Sequence, residues 1–182
     1  MPAFIIGFTC AVLLILVAIW SICYPQRSLW PPANRSRVIE VGIWPATAAV
    51  FWGAASVGLA DWNGLDWPAW LRWGIGLPVL LAANVVVSTG MWQLGLGNTS
   101  GIPDGLVTTG LYRHSRNPQY LANMAALIGW FILSASAWTL PVILPGIIMF
   151  LIATEAEDRW MAIKYGEAFE DWKAKTPRLF LT

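Results

Sequence analysis

From Phe4 to Cys23 the chain runs for roughly 20 residues without one charged side chain, and this run limits the fold more than any other feature. At 1.5 Å per residue, a helix of that length matches a bilayer hydrocarbon core of ~30 Å. A secretory signal peptide is the rival reading. No Lys or Arg precedes Arg27, and no small-x-small cleavage pattern precedes Tyr24-Pro25, so a retained helix is expected. Composition points the same way. Apolar residues make up 57% of the 182 and charged residues 12%, about half the charged share of an ordinary globular domain. So few charges cannot cover a soluble surface, and a polytopic membrane protein follows.

Further apolar runs extend from Ile43 to Ala60, Trp70 to Trp92, Tyr120 to Leu133 and Trp138 to Thr154. Pro45 is tolerated in the first turn of the second run, and Arg72 can snorkel to the interface from the third. Ser134-Ala135-Ser136 is so short that the fourth and fifth runs are expected to form a tight hairpin. The expected fold is all-α, with about five transmembrane helices and a cytoplasmic C-terminal helical segment. Residues 1–182 are expected to form one domain, 1–92 holding the N-terminal helices and 93–182 the half that carries the polar pieces.

With five spans, Arg27, Arg35, Arg37, Arg113, Arg116, Arg159, Lys164, Lys173, Lys175 and Arg178 share one side, and Arg72 alone falls opposite. The positive-inside rule makes that side cytoplasmic and leaves the N-terminus outside, as in a multi-pass inner-membrane protein. Trp30, Trp44, Trp62, Trp67, Trp70, Trp73, Trp92 and Trp138 fall near helix ends, where indole rings anchor at the headgroup level. A net charge of +1 gives no reason to expect a nucleic-acid partner. Cys10, Cys23 and His114 form neither a metal-ligand spacing nor a disulfide framework.

The polar material lies in two pieces, Gly95–Pro118 and Thr154–Arg178, which the hairpin returns to the same membrane face. Gly95, Gly97, Gly101, Gly105 and Gly110 make the first a glycine-punctuated connector, either a plain loop or a place for close ligand approach. Asn117 and Pro118 suit the N-cap and first position of a helix. Arg116 is either a positive-inside anchor or a partner for a carboxylate; His114 is either an interfacial residue or part of a site. Glu155, Glu157 and Asp158 are costly at a membrane boundary unless they face water or cations. Either they cap the helix through salt bridges, or the helix continues and they hold a cationic or hydroxyl-rich ligand. Ile163, Phe169 and Trp172 could form an interfacial stripe, with Gly166 limiting the helix.

The stretch Leu106-Val107-Thr108-Thr109-Gly110-Leu111-Tyr112-Arg113, with Ser115-Arg116-Asn117-Pro118-Gln119-Tyr120-Leu121, resembles the isoprenylcysteine carboxyl methyltransferase family and its bacterial and archaeal relatives. Glu157-Asp158-Arg159, Tyr165-Gly166-Glu167-Ala168-Phe169 and Thr176-Pro177-Arg178 match the family's second block. The resemblance covers about the last 90 residues. It implies binding of S-adenosylmethionine between the blocks and methyl transfer to a lipophilic acceptor from the bilayer, such as an isoprenylcysteine-like carboxylate or a thiol. It implies cofactor contacts from Tyr112, Arg113, Arg116, Asn117, Pro118, Tyr120, Leu121, Glu157 and Asp158, with Arg116 and Glu157 as catalytic residues and no metal. Asn117 stands where histidine is commoner, Asp158 shortens the second acid, Ala122 replaces a frequent glycine, and Asp104 stands where many members carry histidine. The alternatives are a phospholipid or small-thiol methyltransferase, a nicotinamide-dependent membrane reductase and a non-enzymatic membrane protein.

Overall fold

A computed structural model describes residues 2–33, 37–100 and 104–179 of the chain. Arg35 and Gly101 lie outside the described residues, and so does the side chain of Arg37. Helix α1 spans Pro2–Cys23 and α2 spans Arg37–Ala60; α3, Ala69–Leu71, continues through a π-helical turn, Arg72–Gly76, into α4, Leu77–Thr99. Helices α5, Pro118–Ser134, α6, Leu140–Tyr165, and α7, Glu167–Lys173, complete an all-helical chain.

Among the described residues four stretches are long and apolar enough to cross a membrane: Pro2–Cys23, Gly42–Ala60, Ala69–Gly95 and Ala137–Tyr165. Helix α5 has 17 residues, which makes it about 25 Å long. Ile5, Leu13, Leu16, Leu59, Leu81 and Val85 stand exposed on the bundle's outside. Water would not tolerate so much apolar surface, whereas lipid does.

Helix α1 buries Gly7, Ala11, Leu14, Ala18 and Ser21, an alternation of four- and three-residue steps that lies on one helical face. Against that face the backbones nearly touch: a Cβ on Gly53 would lie 2.8 Å from the Gly7 Cα. Helices α4 and α5 meet in the same way, since a Cβ on Gly129 would lie 2.7 Å from the Leu80 nitrogen. Lipid supplies no hydrophobic drive for helix association, so close van der Waals packing between small residues takes that role. The shared core comprises Ala11, Leu14, Val50, Ala54, Met124, Leu127, Val142, Ile143, Met149 and Phe150.

Three sequence expectations change. Helix α2 starts at Arg37, so Pro45 lies inside the helix rather than in its first turn. Arg72 is buried: its Nε donates to the Leu133 carbonyl at 3.0 Å, and its guanidinium lies 4.6 Å from the Trp62 ring. The free carbonyls at the end of α5 hold it in place of the headgroup zone. Phe169 and Trp172 do not form an interfacial stripe with the exposed Ile163; they pack with Tyr112, Trp160 and Met161 into a second small core.

Helix α6 continues to Tyr165, so the three acids sit within it as a helical extension. Gly166 then breaks the helix at φ 52° and ψ −128°, a backbone conformation that side chains with a Cβ rarely adopt. The connector is folded by Gly95 at φ 79° and by Asn98, whose Nδ2 donates to Gly105 O at 3.0 Å and whose Oδ1 accepts from the Asp104 N–H at 2.8 Å.

Candidate functional site

The loop before α5 is sewn to the C-terminal tail. The Arg116 N–H donates to Pro177 O at 2.9 Å. One Arg116 guanidinium nitrogen donates to the carbonyls of Lys173 and Thr176 at 3.2 and 3.1 Å, and the other meets Asp158 Oδ2 at 2.7 Å. Ser115 Oγ and Asn117 Nδ2 both donate to Arg178 O, at 3.1 and 3.3 Å. Asn117 is the N-cap residue of α5 and Pro118 its first residue, but the Asn117 side chain makes no cap hydrogen bond. Its amide is used on the tail instead.

Consecutive residues of a helix point about 100° apart, and this rotation gives the α6 acids different partners. Asp158 is shared between Arg116 and Arg178 Nε, the latter at 2.8 Å. Glu155 pairs with Arg159 at 2.9 Å and with Arg178 at 2.6 Å. Among the described residues Glu157 has no ion pair. Instead it faces the Tyr120 hydroxyl.

Glu157 lines a cleft holding about 700 Å³ of empty space, its open mouth included. The apolar side of the cleft is made by Trp30, Ile43, Trp44 and Phe150. A second, smaller cavity is bounded by Asn98, Leu106, Trp160, Tyr165 and Trp172. Leu94, Asn98, Tyr112, Arg116 and Glu157 belong to both walls. The site thus has two lobes joined at Glu157.

Tyr112 stands at that junction. Its hydroxyl accepts from Gln119 Nε2 at 2.9 Å and donates to Gly90 O at 3.5 Å. Burial, and then the Glu157 charge, hold its phenol well above the ordinary tyrosine range, so it remains a protonated donor at neutral pH. Leu111 is fixed beside it by its N–H donating to Gln93 Oε1 at 2.8 Å.

Of the nine cofactor residues expected from the sequence, Tyr112, Arg116, Asn117, Pro118, Tyr120 and Glu157 line the cleft. Arg113 is exposed beside His114, Leu121 packs on the central core, and Asp158 is held between two arginines. Trp30 is more than an interfacial anchor: it lines the cleft, and its indole N–H donates to the Tyr120 hydroxyl at 3.2 Å. Ser21 places it there by accepting from the Leu29 and Trp30 N–H groups at 3.1 and 3.0 Å. Gln119, Asn98 and Asn123 line the cleft as well; a lone amide has no sequence signal without its neighbours.

Comparison with known families matches residues 71–168, more than half the chain, to the phospholipid methyltransferase model. The chain belongs to the phospholipid methyltransferase family. It is accordingly an S-adenosylmethionine-dependent methyltransferase of the membrane, and its acceptor is lipid-like. The matched stretch runs from the end of α3 to the start of α7 and contains the five residues common to the two lobes. The chain is also similar to the cobalt-zinc-cadmium resistance protein CzcN of Cupriavidus metallidurans, at 27% identity over 158 residues, covering 82% of this chain and 70% of the relative. No solved structure matches. Among the described residues no group of three or more His, Cys, Asp and Glu side chains could hold a metal ion.

The site residues suit the family's cofactor. Arg116 Nε and Asn117 Oδ1 are buried without a partner, and Glu157 has no cation. A ligand carrying an amine, ribose hydroxyls and a carboxylate offers complementary groups to each.

Proposed function

We propose that this methyltransferase acts on the amino headgroup of a phospholipid lying in the leaflet beside the Glu157 junction. The carrying observation is Glu157 itself, an acid without a cation at the meeting of a polar and an apolar lobe. S-adenosylmethionine supplies an electrophilic methyl group on a sulfonium. A headgroup ammonium has no lone pair to receive it until a proton leaves. The Glu157 carboxylate accepts that proton and frees the nitrogen lone pair for the methyl group that the bound cofactor would supply. Tyr112 and Tyr120 present hydroxyls on either side, and Asn117 Oδ1 and the Arg116 Nε would hold the cofactor's polar groups. Arg116 in addition positions the loop through the tail. An isoprenylcysteine carboxylate would instead bring a second negative charge to an acid with no counter-ion, which favours the amine.

Five crossings, with the N-terminus outside and the C-terminus in the cytoplasm of an inner membrane, complete the proposal. Ten of the eleven basic residues then lie inside, and the site opens toward cytosolic cofactor. Reporter fusions after Thr182 and within 61–66 should report opposite sides; the same side for both would remove this arrangement. The reaction is tested with purified protein, methyl-labelled S-adenosylmethionine and vesicles. Label should enter phosphatidylethanolamine and stay out of phosphatidylglycerol, which has no nitrogen. Label entering a farnesyl-cysteine analogue alone would replace the amine with the carboxylate acceptor.

A further inference from the structure

A crevice within the membrane-spanning part of the bundle adjoins the cleft. It is lined by Phe51, Ala54 and Ala55 from α2, by Leu80 and Asn84 from α4, and by Asn123 and neighbouring residues of α5. Asn123 lines both this crevice and the cleft, so the two adjoin at its side chain. The neighbouring amides are used within the protein: Asn117 donates to Arg178 O and Gln119 to Tyr112 Oη. Asn123 makes no side-chain hydrogen bond among the described residues. An amide left unpartnered at membrane depth costs several kcal/mol in an apolar medium, and that cost is relieved if a ligand completes it.

The dimensions suggest the ligand. Asn123 lies three residues beyond Tyr120 along α5, or about 4.5 Å deeper in the bilayer, and the crevice continues about 10 Å further to Trp130. There the Trp130 indole N–H donates to Ala54 O at 2.9 Å and ties α5 to α2. A polar amide below the headgroup position, followed by a mainly apolar groove, matches the order of groups in a glycerolipid: headgroup, ester carbonyl, acyl chain.

We propose that the crevice between α2 and α5 holds one acyl chain of the acceptor lipid, with the Asn123 amide donating to its ester carbonyl. The assignment rests on the phospholipid reading of the Glu157 junction, but its test does not depend on turnover. Asn123 is then a binding residue that selects diacyl lipid over chainless headgroup compounds. Ala55 belongs to the crevice wall alone.

Vesicles containing phosphatidylethanolamine with a photoactivatable diazirine on one acyl chain provide the probe. After irradiation and peptide mapping, label should concentrate in residues 51–55 and 123–130. Ala55→Phe, which fills the groove, should remove that labelling while activity on glycerophosphoethanolamine stays unchanged. Asn123→Leu, of nearly the same size, should raise KM for the diacyl lipid about tenfold, the effect of one lost hydrogen bond, with kcat nearly constant. Concentrated labelling without methyl transfer to the lipid would uphold the groove and overturn the headgroup chemistry. Labelling spread evenly over the outward faces of α1 and α4, or unaffected by Ala55→Phe, would overturn the groove even with full methyl transfer.

Discussion

Replacing Glu157 with glutamine should reduce kcat for methyl transfer to an amino lipid by about 10²–10⁴-fold, the usual contribution of a positioned acid or base. Glutamine keeps the size of the side chain and one carbonyl oxygen, but it cannot accept a proton from an ammonium. Because Glu157 is in no ion pair among the described residues, thermal unfolding of the variant in detergent should match that of the wild type. Cofactor affinity should weaken too, by roughly 10- to 150-fold if a charge-assisted hydrogen bond of ~1.5–3 kcal/mol is lost. Rate and affinity are separable by single-turnover assays at saturating S-adenosylmethionine. A variant that retains wild-type kcat would remove Glu157 from the proton path and leave the acceptor without a base.

Asp158 should behave in the opposite way. Asp158→Leu leaves Arg116 buried with its counter-ion gone, and breaking one side of a buried pair costs about 3–5 kcal/mol. The Arg116 and Asp158 side chains are only 6% and 5% exposed, so little solvent screening reduces that figure. For a chain of this length the loss corresponds to a fall in unfolding temperature on the order of 10 °C. Arg178 loses one partner but keeps Glu155 at 2.6 Å. The double variant Arg116→Met/Asp158→Leu should therefore recover part of the loss, since removing both charges leaves no unpaired ion. Scanning calorimetry or fluorescence-monitored melting of the three proteins gives the comparison. If the double variant were no more stable than Asp158→Leu alone, Arg116 would be holding the tail through the Lys173 and Thr176 carbonyls more than through Asp158.

Two adjacent acids thus have opposite expected effects, although the sequence presents them as one pair. Hydropathy along the chain is enough to reveal the apolar helices, because a bilayer requires about 20 apolar residues per crossing wherever the helix later packs. The start of α5 at Asn117-Pro118 is legible for a similarly local reason: the proline ring fixes φ and lacks the N–H that the first turn would leave unpaired. The two polar blocks can also be seen to converge, since the Ser134–Ser136 connection is too short to do anything but reverse the chain. The resemblance of the two blocks implies the methyl donor, and the match to the family model shows it.

Tertiary structure decided how each polar side chain is used. Asp158 finds Arg116 across 42 residues and Arg178 across 20, while Glu157, one helical step away, is turned to the cleft. Arg72 lies at the end of α5 and under Trp62 because a helix terminus there offers a bare carbonyl. Trp30 reaches Tyr120 across 90 residues, and Asn123 is left unpartnered between two cavities. None of these pairings has a local signal: composition and periodicity determine which face of a helix is apolar, but which partner a polar group meets depends on how far each helix is rotated against its neighbours.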